Sequence, residues 1–541
     1  MTTGRDHGFG HNVHHLTIGK ILADKAEYNG DKPFLTFLPD GRRYSYRDIA
    51  HLSNDLAAGL LEAGIGRGCH VAVMLDNCPE QILIYFALGR VGAVAVPINT
   101  AAKGAQLAHM LRSADCSVVV ADQRYADRFG LIADAVPALR RMIMLGNDPH
   151  PVEQGWTNSL FDSLYVPSTA PIDKARFDDL AYICFTSGTT GPSKGVMFHQ
   201  ARAIMGAVSH REAFGHRFDD IFYVCLPTFH INALTGSIYL ALMADASVVM
   251  NDRFSASRFW HDIRECGATT FNLLGSMSHI LWGLPPLPED ARNAVRFILA
   301  TPVPVFAREF EARYGLRICS GYGLTDYATP LAFTLSDPPS KLGSAGRPRR
   351  GWDVRIVDED DFEVPYGERG EIVMRSDNPW CMSSGYYGLP QASLDSLRNG
   401  WFHTGDRGYV DEDGYFYFVD RKKDVIRRRG ENISAYEVEQ ILLTHPDVAE
   451  AAVFPVSSDM SEDEVAATIV PRNDAVFDPG ALIRFCESRM AYFMVPRFVE
   501  IRADLPRTLT EKVEKYRLRA AAEAKLGALW DREREGVVLK R

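Results

Sequence analysis

Apolar positions along this chain recur with two spacings that alternate. Ser45 and Asp48 are spaced as a capping box ahead of Ile49, Leu52, Leu56 and Leu60, which fall at helical intervals. The pattern continues with a short apolar strand over 70–75, a helix over 79–89 opened by Pro79, a strand over 94–97, a helix over 106–113 and a strand over 117–121. Such alternation favours a mostly parallel sheet covered by helices. It resumes with strands over 223–227, 269–273 and 296–299 and a helix over 256–266, which predicts a second layer of the same kind. Beyond Gly343 the texture changes to strands broken by Asp/Gly turns, over 354–357, 370–374 and 415–419, as in a smaller β-rich lobe. The charged run Asp420-Arg421-Lys422-Lys423-Asp424 follows, and helical spacing returns over 436–443 and 479–489. The expected fold is α/β, with a large N-terminal domain of two βαβ-type sheets plus the β-rich lobe over 1–420. A small α+β C-terminal domain over 421–541 completes it.

Composition narrows what such a chain can do. At 541 residues it is too long for a single core, and 46% hydrophobic with 24% charged residues is the balance of an ordinary globular protein. A formal charge of -10 disfavours nonspecific nucleic-acid binding, so a nucleotide would be a small ligand. Nine scattered cysteines without a C-x-x-C pair read as reduced thiols of a cytoplasmic protein. The polar start has no apolar signal region, and no apolar run is long enough to span a bilayer, so neither secretion nor membrane insertion is expected.

One segment carries chemistry on its face. The run Thr186-Ser187-Gly188-Thr189-Thr190-Gly191-Pro192-Ser193-Lys194-Gly195 follows the apolar stretch 180–185 directly. Glycines let backbone N–H groups converge on an anion, while hydroxyls and the Lys194 ammonium add donors. The spacing is not that of a Walker loop, because Lys194 follows Gly191 by three residues and is itself followed by glycine. A Ser/Gly linker would share the composition, but linkers seldom follow a buried strand pattern.

Four further motifs join the phosphate cradle: Gly321-Tyr322-Gly323-Leu324-Thr325, Thr404-Gly405-Asp406, Asp420-Arg421 and Lys512. Together and in this order they resemble the adenylate-forming superfamily of acyl-CoA synthetases, adenylation domains and luciferases, over nearly the whole chain. The resemblance implies ATP, magnesium and coenzyme A as co-substrates and a small-molecule carboxylic acid as partner; it also admits a homodimer. It assigns Thr186, Ser187, Gly188, Thr189, Thr190, Gly191 and Lys194 to the phosphates, and Gly321, Tyr322 and Gly323 to adenine. Thr325 would touch the α-phosphate, Asp406 and Arg421 the ribose, and Lys512 would bridge acid and α-phosphate. Two positions depart from the pattern. Asp326 stands where the family has a magnesium-binding glutamate, and Glu511 replaces the usual glycine before Lys512.

The acceptor of the activated acid is implied by two segments. Leu226-Pro227-Thr228-Phe229-His230-Ile231-Asn232 resembles the acyl-CoA synthetase form, in which His230 lines the passage between acid and thiol. Arg429-Gly430-Glu431 resembles the loop that lines the coenzyme A tunnel in the second half-reaction, with Lys423 as the hinge of a mobile C-terminal domain. Catalysis would then rest on Lys512, His230, Thr186 and Lys194, and the acid pocket on His230, Asn232, Gly236, Ala300, Thr301, Pro302 and Tyr327. The expected activity is an ATP-dependent carboxylic acid:CoA ligase for a small or medium acid, similar to carnitine-type and other short-chain ligases. The competing readings are a stand-alone enzyme that loads a carrier protein and a nucleotide-binding protein with degraded catalysis.

Overall fold

The computed structural model describes residues 12–147, 155–186, 193–301, 303–304, 306–325, 329–421, 425–458, 462–472, 477–506, 513 and 515–539. Its centre is the helix Pro79–Val91, in which every residue except Glu80 is buried. Pro79 opens it where no intrahelical N–H is needed, and Gly92, at φ 75°, closes it in the left-handed region. A helix with no polar face has to be covered on all sides. One continuous core joins it to the helices Ile18–Asn29 and Tyr46–Glu62 and to strands of two separate sheets.

The first sheet has seven strands, in the order Thr157–Leu160, Arg141–Leu145, Val118–Asp122, His70–Met74, Val94–Pro97, Leu180–Thr186 and Lys194–His199. All neighbours are parallel except the last pair, a hairpin that sets Thr186 opposite Lys194. The second sheet has nine strands. Its central run, Arg317–Tyr322, Phe297–Thr301, Thr270–Leu274, Ile221–Val224, Ser247–Met250 and Pro33–Phe37, is parallel, and antiparallel strands close both edges. A five-stranded antiparallel lobe follows, formed by Trp352–Val357, Gly370–Ser376, Leu397–Arg398, Trp401–Val410 and Phe416–Arg421.

The remaining chain has its own core. It consists of the hairpin Val425–Arg428 and Glu431–Ser434, a four-stranded sheet from Val448–Ser457 to Trp530–Asp531, and the helices Ala435–Leu442, Pro479–Glu487 and Lys515–Ala524. The two-layer α/β plan, the β-rich lobe and the α+β tail expected from the sequence are all present. Most boundaries shift by one or two residues, and two shift by three. The strand expected over 223–227 ends at Val224, because the chain must leave the sheet before Pro227, which has no N–H for a ladder. The helix expected over 256–266 starts at Phe259, whose N–H reaches back to the Ser255 carbonyl.

Gly346 joins the second sheet to the lobe at φ 87°, where a Cβ would lie 1.9 Å from the Ala332 carbonyl. Gly346→Ala is expected to destabilise the large domain by about 2–4 kcal/mol, through backbone strain and overpacking together. A urea titration followed by tryptophan fluorescence measures this, and an unchanged midpoint would contradict it.

Candidate functional site

Those of the residues singled out in the sequence that are described gather where strands of the two sheets end. The 187–192 part of the phosphate cradle lies outside the described residues, but its two ends are placed. Thr186 and Lys194 face each other in the hairpin, and the Lys194 ammonium sits 4.6 Å from the centre of the Tyr386 ring. At Ser193 the cradle meets the C-terminal unit. The Ser193 N–H donates to Glu437 Oε1 at 2.5 Å, and the Ser193 carbonyl lies 2.9 Å from His109 Nε2. Burial pushes the Glu437 carboxyl above its ordinary range, partly offset by the bond from Ser193.

On the other side, Gly321 and Tyr322 end the strand Arg317–Tyr322. Gly321 is required by packing, since a Cβ there would meet the Leu331 carbonyl oxygen at 2.9 Å. Tyr322 donates its hydroxyl to Asp406 Oδ2 at 2.7 Å, and its ring stacks on Phe418. Asp406 is buried and stands opposite Arg421 in the ladder. Thr404 and Glu371 hold its turn: Asp406 N–H donates to Thr404 Oγ1 at 3.0 Å, and Gly405 N–H to Glu371 Oε1 at 3.0 Å. The adenine and ribose candidates thus form one connected group. Gly323 is exposed and Thr325 half-buried at the end of the same turn.

His230 caps the short helix Ile231–Ala233, which runs into a π-helical turn over Leu234–Tyr239. Its approach is held from the central helix. Asn77 donates to the Leu226 carbonyl at 2.9 Å and accepts from the Thr228 N–H at 2.8 Å, and the Thr228 hydroxyl also bonds Gln81. The Arg429-Gly430-Glu431 turn is inserted from the C-terminal unit into the same crevice. Glu431 Oε1 lies 3.0 Å from His230 Nε2 and accepts from Asn99 Nδ2 at 3.3 Å. Gly430, at φ 79°, packs so close to Leu274 that a Cβ would fall 2.3 Å from its Cδ1. Arg429 itself adopts φ 53°. Behind the turn, buried Arg428 anchors the hairpin by donating to the carbonyls of Phe493 and Val495 at 2.9 and 3.2 Å.

Burial disfavours the charged form of His230, but the Glu431 carboxylate outweighs it and holds the imidazole above its ordinary range. The side chain keeps 40% of its surface exposed, so the pair remains open to solvent.

The acid-pocket candidates lie along the same strand ends. Asn272 donates to Asn232 Oδ1 at 2.7 Å and lies 3.4 Å from the Gly236 carbonyl and 3.3 Å from Ser237 Oγ. Ala300 is buried, and its carbonyl accepts from Ser320 Oγ at 2.9 Å; Thr301 closes that strand. Pro302, Asp326, Tyr327, Lys423 and Lys512 lie outside the described residues, as does Glu511. Asn77, Gln81, Asn99, Asn272 and Glu437 belong to none of the sequence motifs. Lone amides carry no motif; only Glu437, in the first turn of a helix just after the Arg429-Gly430-Glu431 segment, was near anything recognisable.

Residues 22–387 match the AMP-binding enzyme family, and residues 437–512 match the AMP-binding enzyme C-terminal domain. A crotonobetaine/carnitine-CoA ligase of Salmonella paratyphi A is 32% identical over 512 residues, covering 93% of this chain and 98% of the relative. Among solved structures, the o-succinylbenzoate CoA synthetase MenE of Bacillus subtilis, bound to a product analogue, superposes with a TM-score of 0.80 at 25% identity, covering 92% of this chain and 98% of that one. The amide bond synthetase McbA of Marinactinospora thermotolerans also gives 0.80, at 26% identity, over 93% of this chain and 99% of that one. Among the described residues no helix is long and apolar enough to cross a membrane.

The contact between His230 and Glu431 across the two units is an ion pair only while the imidazole is charged. Relative to separated units, its contribution is full below the ordinary value of 6.5 and is lost as pH rises through the raised value in the contact. Energy transfer between dyes on the two units should therefore fall as pH rises above neutrality, and His230→Gln should flatten that titration. A pH profile identical in the variant would contradict this assignment.

Proposed function

The chain belongs to the AMP-binding enzyme family, and from that premise we propose that it is an ATP-dependent carboxylic acid:CoA ligase working through an acyl-adenylate. The observation that carries the reading is the insertion of Gly430 and Glu431 from the C-terminal unit between Leu274 and His230. That placement brings a second unit to the point where the acid would sit, as a thiol-accepting step requires.

In the first half-reaction a carboxylate oxygen bonds to the α-phosphorus of ATP as the bond to pyrophosphate breaks. Two anions meet, so the site must supply positive charge and N–H donors. Lys194 and the 186–195 cradle hold the departing pyrophosphate; Tyr322, Asp406 and Arg421 hold the nucleoside; Thr325 and Lys512 face the α-phosphate. Magnesium would neutralise phosphate charge when bound with ATP, and Asp326 would be the residue that holds it. In the second half-reaction the coenzyme A sulfur bonds to the acyl carbon, the thiol proton is released, and AMP departs with the electrons of the acyl–oxygen bond. Arg429, Gly430 and Glu431 line the thiol's approach.

The two units, 1–420 and 421–541, alternate between these steps about Lys423. Nine free cysteines suit a cytoplasmic enzyme, and a homodimer fits the family.

Incubating the protein with ATP, coenzyme A and an accepted acid is expected to yield AMP, pyrophosphate and a thioester. Strict dependence on a carrier protein in place of coenzyme A would refute this. Lys512→Ala is expected to slow adenylate formation by about 10²–10³-fold or more, the usual loss when a donor aimed at transition-state charge is removed. Thioester formation from supplied acyl-AMP should survive, and equal loss of both steps would rule out alternation.

A further inference from the structure

Behind the helix capped by His230 lies a cavity of about 40 Å³. Its lining includes Ile231 and Leu324, which adjoin His230 and Thr325 in sequence, and two arginines, Arg202 and Arg349, only 4% and 8% exposed. Arg349 follows the turn that joins the second sheet to the lobe, and Arg202 lies on the helix after the phosphate hairpin, its guanidinium 4.4 Å from the Phe198 ring. The cavity therefore sits where three parts of the N-terminal domain meet.

Some buried and half-buried arginines of this chain are well partnered: Arg90, 3% exposed, bonds Ser53 Oγ and the carbonyls of Ile172 and Ala50. Arg313 bonds Asp290 at 2.7 Å and the carbonyls of Trp282 and Pro285 at 3.0 Å each. Arg349 is different: its Nε and Nη1 are buried and meet no hydrogen-bond partner among the described residues. No carboxylate among the described residues lines the cavity, and Glu212, the acidic residue that Arg349 feels electrostatically, is exposed. Burial, with a smaller contribution from the charge of Arg202, pulls the Arg349 guanidinium down to about 9, and it still carries its charge at neutral pH. A buried charge without a counter-charge is unfavourable until an anion reaches it. Room for a few water molecules is also room for one carboxylate group.

We infer that the acid activated here carries a second anionic group at its far end, received by Arg349 and Arg202. The inference rests on the ligase reading. An acid whose reacting carboxylate lies beside His230 and Thr325 extends its other end toward Ile231 and Leu324, and so into this cavity. A cationic end, as in betaine-type acids, would meet two guanidinium groups and be repelled. His210, another lining residue, is held neutral by burial and by the neighbouring charge of Arg349.

The test is AMP formation with coenzyme A over short aliphatic dicarboxylates, each paired with its monomethyl ester, with γ-butyrobetaine, benzoate and octanoate alongside. Each favoured diacid should exceed its monoester by about tenfold or more in kcat/KM, because a site built for a charged group rejects the analogue lacking it. Arg349→Leu should bring that ratio near one, with the diacid losing far more than the monoester, and Arg349→Lys should restore part of it. Arg202→Leu serves as the second variant should the first not fold. Turnover of monoacids or betaine without any preference for diacids would overturn the inference and leave the ligase reading standing. AMP formation from none of the acids would remove the ligase reading and this inference with it.

Discussion

Burying a helix that has no polar face is the constraint on which the rest of this architecture depends. Pro79–Val91 cannot lie on a surface, so two sheets and two further helices must surround it. Parallel strands then end near one another, and the crevice outside their C-terminal ends is the natural place for a ligand in an open α/β sheet. The helix also reaches that crevice directly. Asn77, just before its start, and Gln81 in its first turn bind the 226–228 segment and so set where His230 emerges. Core and site are thus mechanically coupled through a handful of amide hydrogen bonds.

The C-terminal unit meets this crevice through small, polar and partly exposed contacts: Glu431 with His230 and Asn99, Glu437 with the Ser193 N–H, Lys103 with the Glu487 carbonyl. Such contacts contribute modestly and are readily exchanged. That is what a unit with its own separate core needs if it is to leave and return during turnover. The rigid element is the hairpin tip, where Gly430 packs on Leu274 with no room for a side chain and buried Arg428 ties the hairpin to its own domain. Precision is built into the tip and reversibility into its surroundings.

Much of this was legible in the chain. Alternating periods identified the βαβ layers because a buried strand and a two-sided helix leave different spacings of apolar residues. The Thr186 to Gly195 run and the Gly321-Tyr322-Gly323 turn were legible because close backbone approach admits few residue types. The strand boundary at Val224 was not, since the apolar residues after it pack as well outside the ladder as within it. Asn77, Asn99 and Asn272 were invisible for a different reason. An amide that holds a segment 35 to 332 positions away in sequence has no local signature.

The sequence by itself determined the fold class, the order of the motifs and the family chemistry, because each depends on local spacing and on residue types that tolerate few substitutes. Only the tertiary structure decided which of those residues touch. It paired Glu431 with His230 across 201 residues, joined Tyr322 to Asp406, and brought Arg202 and Arg349 to one cavity. Contact between distant segments is set by how the sheets pack around a shared helix. Charge and burial at a site follow from that packing, and no stretch of chain encodes them alone.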